Sequence, residues 1–130
     1  MARPIMINNF VRLVYQFIAK QWLLMKIQTY CKDEQSKFDE LDKQLSAPLS
    51  FENNNYIQNQ KLLSSSRAIA YHTSYYAIKK TKMCPNWFES AESSLVEVKA
   101  KVPNSIHSIN EYESAINNCI LELRCAMLFR

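Results

Sequence analysis

The 130-residue sequence contains no glycine. Soluble proteins carry about 7% glycine, because tight hairpins, bulges and phosphate-binding loops need a positive φ. Two-residue β-hairpin turns are hard to build without it. P-loop and dinucleotide-binding folds lose the residues that let backbone approach phosphate. Helices joined by polar loops need glycine least, so the composition predicts an all-α protein and excludes several enzyme classes.

Metal and disulfide patterns are also missing from the sequence. The four cysteines form no CxxC pair and no Cys/His cluster with zinc-like spacing. We therefore expect no metal or cofactor, and reduced, mostly buried thiols in an intracellular, reducing compartment, with the cytoplasm favoured. The acid-free N-terminus also allows an organellar, mitochondrial targeting segment.

Long uncharged apolar runs are absent, although the first predicted helix is strongly apolar. Asn8 or Asn9 is its predicted cap. Arg12, Lys20 and Lys26 interrupt the roughly 20 apolar residues that a membrane span requires. Polar residues four apart, at positions 12, 16 and 20, form only a narrow stripe. Such a helix is the central one of a bundle, or it lies against a membrane or a partner.

The remaining pattern predicts further helices in a single domain over residues 1–130. The first three predicted helices cover residues 10–30, 33–45 and 56–83, and a loop is predicted over residues 50–55. Pro85 opens a fourth helix and Pro103 ends it. A fifth helix is predicted to begin at residue 104 or 105. The fifth has the most regular apolar stripe, at Ile109, Tyr112, Ile116, Cys119, Leu123 and Ala126. Ser108 and Glu111 have the spacing of a capping box. Short connections favour an up-down antiparallel bundle of four to five helices.

Acidic residues are missing from two long segments. Residues 1–32 and residues 53–88 each hold five basic residues and no acid, whereas residues 33–52 hold six acids and two lysines. If the basic helices pack beside the acidic ones, their opposite charges cancel and the segregation has no functional role. The functional alternative is an anionic partner, which would be RNA, DNA or an anionic membrane.

One basic segment also contains tyrosines. Cations and stacking rings on one segment are typical of single-stranded nucleic-acid binding, whereas tyrosines on a bundle helix are often core residues with hydroxyls at the rim. The candidate anion-binding residues are Lys79, Lys80, Lys82, Tyr75 and Tyr76, with Tyr71 nearby.

Arg67-Ala-Ile-Ala-Tyr-His72 places an arginine and a histidine with four residues between them. This resembles the Arg-x4–6-His motif of the HEPN superfamily of small helical domains, many of which are RNA-cleaving toxins or defence nucleases. The resemblance implies a metal-independent ribonuclease, with Arg67 and His72 acting on a scissile phosphate at a dimer interface. The alternative for His72 is a half-buried imidazole bonded to a neighbour.

The sequence favours a non-catalytic helical interaction or assembly subunit that acts through apolar and basic surfaces within a larger complex. The very apolar first helix and the absence of convincing catalytic motifs support this prediction. We expect protein partners, in a homo- or hetero-oligomer. The alternatives are the HEPN-like ribonuclease and a module that binds nucleic acid or an anionic membrane.

Overall fold

The protein is a bundle of four helices. The computed structural model describes the backbone of residues 3–127 and the side chains of residues 10–127. The helices are Arg3–Leu45 (α1), Phe51–Lys79 (α2), Trp87–Ala100 (α3) and Ile109–Met127 (α4). None of residues 3–127 lies in a strand. The predicted all-α bundle is therefore confirmed, with four helices.

α1 and α2 form the largest helix pair and run antiparallel. Lys20 of α1 bonds to the carbonyl oxygen of Lys79 at the end of α2. Asp42, close to the end of α1, pairs with Lys61 in the first half of α2. Because α1 has 43 residues and α2 has 29, α1 is about 65 Å long and α2 about 44 Å.

α3 and α4 complete the up-down arrangement. The Tyr112 hydroxyl donates to the carbonyl of Val98 at 2.8 Å, and Arg124 pairs with Glu92 at 2.9 Å, so these two helices are antiparallel. α4 also packs across the bundle on α2, to which it runs parallel.

The core lies where the four helices meet and consists mainly of aliphatic and aromatic side chains. Its fully buried members include Leu23, Ile27, Ala70, Ile78, Trp87, Leu95, Tyr112, Ile116 and Leu123. The apolar stripe predicted for the last helix is buried at five of its six positions, and only Ile109 is exposed. The regular 3–4 spacing thus identified the buried face of α4 correctly.

The separate helices predicted over residues 10–30 and 33–45 are wrong, because α1 continues through the junction. Neither glycine nor proline occurs there to stop it. Glu34, just past the junction, is buried and accepts hydrogen bonds from Ser64 and Arg67 of α2. These bonds hold this part of α1 in helical register against α2.

The predicted cap at Asn8 or Asn9 is also wrong, since both residues lie inside α1. The loop predicted over residues 50–55 is helical from Phe51 onwards. The Ser50 side chain accepts a bond from the Asn53 amide at 3.2 Å, so an N-cap offsets the poor helix propensity of the asparagines.

Three further boundaries differ from prediction. α2 ends at Lys79 rather than Met83, and α3 begins two residues after Pro85. α4 begins at Ile109 rather than at residue 104 or 105. The capping serine is confirmed, because the Ser108 hydroxyl accepts a bond from the Glu111 amide at 3.3 Å. The Ser108 amide donates to the Ser66 hydroxyl of α2 at 3.1 Å.

Candidate docking site on the first helix

The first half of α1 exposes large apolar side chains on one side. Seven of them are each 42–68% exposed. We call this set the α1 outer face, and it consists of Phe10, Val11, Val14, Tyr15, Phe17, Ile18 and Met25. Contiguous exposed apolar surface of this kind marks an interaction site.

The α1 outer face covers a broad sector of the helix. Viewed down the helix axis, where successive residues are about 100° apart, Phe17 and Tyr15 mark the two edges of this face. Its seven members lie within the sector of about 160° between them. Lys26, 11 residues after Tyr15, points about 20° beyond that edge. Gln28, 11 residues after Phe17, points about 20° away from the Phe17 direction.

The polar stripe of α1 packs inward, against the rest of the bundle. Gln16 is 2% exposed, and its Nε2 donates to the carbonyl of Pro85 at 2.8 Å. Lys20 is 9% exposed, and its ammonium donates to the carbonyls of Lys79 and Thr81 at 3.3 and 2.7 Å. Burial lowers the pKa of the Lys20 ammonium. In an ordinary amphipathic helix the apolar side faces the core and the polar side faces water. The first half of α1 partly inverts this arrangement.

The reason for this inversion lies at the end of α2. The last carbonyls of a helix have no partners within it, and a chain without glycine lacks the usual C-terminal cap. Lys20 supplies the donor, and its positive charge also suits the negative end of the helix dipole. Turning Lys20 toward α2 places the opposite, apolar side of α1 at the surface.

An apolar groove follows one edge of the α1 outer face. It encloses about 350 Å³ and is lined by Tyr15, Ile18, Ala19 and Trp22. The Lys26 ammonium lies 5.7 Å from the centre of the Trp22 ring. This edge therefore combines aromatic rings with a cation.

The other edge adjoins the tyrosines predicted to bind an anionic partner. A groove between α1 and α2 is lined by Gln28 from α1 and by His72, Tyr75 and Tyr76 from α2, among others. The Lys79 ammonium lies 5.8 and 5.9 Å from the ring centres of Tyr75 and Tyr76. The structure thus brings three of the candidate anion-binding residues together.

The other candidates lie nearby but not on the helix as predicted. Lys80 and Lys82 are exposed in the turn that follows α2. Tyr71 is buried in the core, and its hydroxyl accepts a bond from Asn118 at 3.1 Å.

Arg67 is engaged by two carboxylates. Its guanidinium bonds to Glu34 of α1 at 2.9 Å and to Glu111 of α4 at 2.7 Å. Burial acts to lower the pKa of Arg67, but the bonds to the two carboxylates outweigh it and raise that pKa. This side chain joins three helices.

His72 lies on another side of α2. It is exposed, not half-buried, and its ring packs edge-on against Tyr76 with ring centres 4.8 Å apart. Arg67 lines a cleft with residues such as Ser64 and Glu40, whereas His72 lines two others. Five residues of helix turn the two side chains about 140° apart, which matches this separation.

The thiols and carboxylates offer little for metal or nucleophilic chemistry. All four cysteines are free, and only Cys31 and Cys119 are buried, so the predicted burial holds for two of them. Burial raises the pKa of the Cys119 thiol to about 12, which keeps it protonated near neutral pH. Among the described residues, no three His, Cys, Asp or Glu side chains are placed to hold a metal ion.

No protein-family model, curated protein or solved structure matches the chain. Within the part of the chain that the structure describes, no helix has the length and apolarity needed to cross a bilayer.

Proposed function

We propose that this protein is a non-catalytic helical module that attaches to a larger assembly through the α1 outer face. The observation that supports the proposal is the orientation of α1. Gln16 and Lys20 face the bundle, while seven large apolar side chains face outward.

The energetic argument concerns what a partner would cover. Full burial of a Val, Leu, Ile or Phe side chain is worth about 1.5–3 kcal/mol. The side chains of the α1 outer face are roughly half exposed. Burying the exposed part of each one against a partner would therefore contribute about 1 kcal/mol of binding free energy. Together they offer several kcal/mol to a partner, before the cost of association is subtracted.

The ribonuclease remains a prediction with less support. Arg67 is bound to two carboxylates, and His72 lines different clefts. That arrangement favours attachment over RNA cleavage within a single copy of the chain. Cytoplasmic localisation with reduced thiols is part of the proposal.

Light scattering combined with a fluorescent dye for apolar surface tests the attachment surface. We expect the parent protein to bind the dye and to form larger species as its concentration rises. Phe17→Gln with Ile18→Gln should remove most of both effects, because these side chains are 53% and 58% exposed on the α1 outer face.

The matched control is Val96→Gln with Leu121→Gln, since these side chains are 54% and 57% exposed on α3 and α4. The control should behave like the parent, and circular dichroism should show equal helix content in all three proteins. A parent that stays monomeric without binding the dye contradicts the proposal. Equal dye binding by the parent and the α1 variant does so as well.

A further inference from the structure

The α1 outer face is accessible from one side only. Its opposite side is held to the bundle by Gln16 and Lys20. A partner must therefore approach from the solvent side of the helix, where the exposed sector of about 160° lies. The outer face is about 22 Å long, from Phe10 to Met25, and it includes the aromatic side chains of Phe10, Tyr15 and Phe17.

Exposed cations border this face on both sides. Lys26 lies beyond the Tyr15 edge, over the Trp22 ring. Lys79 lies on the side of α2, over Tyr75 and Tyr76. Arg12, Lys80 and Lys82 add further exposed positive charge at this end of the molecule.

The segments that carry this face and its neighbouring cations contain no acidic residue. Residues 1–32 and 53–88 contain no acid, and the acidic positions Asp33, Asp39 and Glu40 follow only in the second half of α1.

A partner that covers the α1 outer face therefore meets apolar side chains flanked by Lys26 and Lys79. The acids nearest these cations lie on α3, where Glu97 lines a pocket with Lys80 and Glu89 is exposed.

We propose that this partner is the surface of a membrane containing anionic lipids, an inference that rests on the proposed attachment function. Apolar and aromatic side chains enter the boundary between headgroups and acyl chains, while Lys and Arg pair with the anionic headgroups. Tyrosine and tryptophan suit this boundary, since their rings are apolar and their tips are polar. The acids of the second half of α1 keep that half away from the surface.

A specific two-fold dimer fits the same face less well than an anionic membrane does, although the exposed apolar side chains still promote irregular self-association at high protein concentration. In a two-fold symmetric contact the same patch meets itself. The cations that border the face of one copy, such as Lys26, Lys79 and Arg12, would then meet the same cation-bordered face of the other copy, and residues 1–32 supply no acid to pair with them. Like charges brought together across an interface oppose association.

Flotation with lipid vesicles tests the inference on the whole 130-residue chain. We expect binding to vesicles of phosphatidylcholine mixed with phosphatidylserine, weak binding to phosphatidylcholine alone, and loss of binding at high salt. Trp22 fluorescence should shift to shorter wavelength on binding, because this ring lines the groove at the edge of the face.

Two sets of variants separate the apolar and electrostatic contributions. Phe17→Gln with Ile18→Gln should abolish flotation. Lys26→Gln with Lys79→Gln should weaken the affinity about fivefold per lysine, the effect of one cation near an anionic surface. The control Lys37→Gln with Lys43→Gln removes the same charge from exposed positions in the acidic second half of α1 and should leave flotation unchanged.

The other outcomes overturn the inference in distinguishable ways. If vesicles do not bind while the dye and light-scattering results still depend on Phe17 and Ile18, the attachment function stands and its partner is a protein chain. Equal flotation with neutral and anionic vesicles rules out recognition of anionic lipid. Tight binding of single-stranded RNA that survives Phe17→Gln with Ile18→Gln, without flotation, assigns the cations to nucleic acid.

Discussion

Arg67 shows how one side chain can join three helices. Its guanidinium bonds to Glu34 and Glu111 are charge-assisted, and such bonds are shorter and stronger than neutral ones. Glu34 is also bonded to Ser64 at 2.9 Å. This network is mostly shielded from water and fixes the position of α2 between α1 and α4.

Replacing Arg67 should therefore destabilise the fold. We expect Arg67→Met to lower the free energy of unfolding by about 1–3 kcal/mol, because two carboxylates lose a donor. The measurement is urea unfolding followed by circular dichroism. The control Lys101→Met removes an exposed pair with Glu97 and should leave the free energy of unfolding nearly unchanged.

The same variant discriminates between the structural and catalytic roles of Arg67. A stability no different from that of the control would refute the structural role. If the parent cleaves RNA and Arg67→Met abolishes cleavage at unchanged stability, the ribonuclease prediction is established instead.

These residue-level contacts could not be predicted from the sequence. Arg67 is 33 residues from Glu34 and 44 from Glu111, and nothing local in the sequence reveals such partners. The Arg67-x4-His72 spacing singled out Arg67 as a catalytic candidate, and it contains no information about the carboxylates around this side chain.

At the scale of single elements, the end of α2 replaces a glycine cap with a side chain from α1. The Lys80 and Thr81 amides bond back to the carbonyls of Tyr76 and Ile78. Lys20 then covers the carbonyls of Lys79 and Thr81. The helix ends without any positive-φ residue among those described.

Removal of the Lys20 ammonium should loosen this end of α2. We expect Lys20→Met to lower the free energy of unfolding by about 1–3 kcal/mol, since buried carbonyls lose their donor. Hydrogen exchange at the Lys80 and Thr81 amides should accelerate more than exchange in the α4 core. Lys32→Met, at an exposed position of the same helix, is the control, and exchange rates equal to those of the control would disprove this capping role.

The sequence predicted the helices unequally well for a physical reason. α4 has one regular apolar stripe, and its buried face was identified correctly. α1 is apolar around most of its first half, so periodicity alone could not indicate which side is buried. Gln16 and Lys20 decide that orientation through carbonyls of residues 79, 81 and 85, which only the folded chain brings near.

For the molecule as a whole, several phenol and thiol protons are held more tightly in the folded chain than in the unfolded one, which lowers stability at alkaline pH, and the pKa shifts are largest for Tyr30 and Cys119. The hydrogen bond to Glu122, with burial and the nearby charge, raises the pKa of Tyr30 from 10.0 to about 12. Burial raises the pKa of Cys119 from 9.0 to about 12. The unfolded chain releases these protons at lower pH than the folded chain, so stability falls as pH rises from about 9 to 12.

Tyr30→Phe should make the decline of stability between pH 10 and 12 shallower. Glu122→Gln should have a similar effect, because it removes the carboxylate that holds the Tyr30 proton. Urea unfolding at several pH values measures this slope, and the loss of the Cys119 proton should leave part of it in both variants. Curves parallel to that of the parent would contradict the assignment to Tyr30.

No described residue has a positive φ, and this has a consequence for mutagenesis. Every described position therefore has a backbone conformation that alanine can adopt without the steric penalty of a positive φ. Alanine substitutions along the chain will therefore report lost side-chain contacts, uncomplicated by backbone strain at special turns. Such a scan gives an unusually direct map of which contacts hold the helices together and which serve a partner.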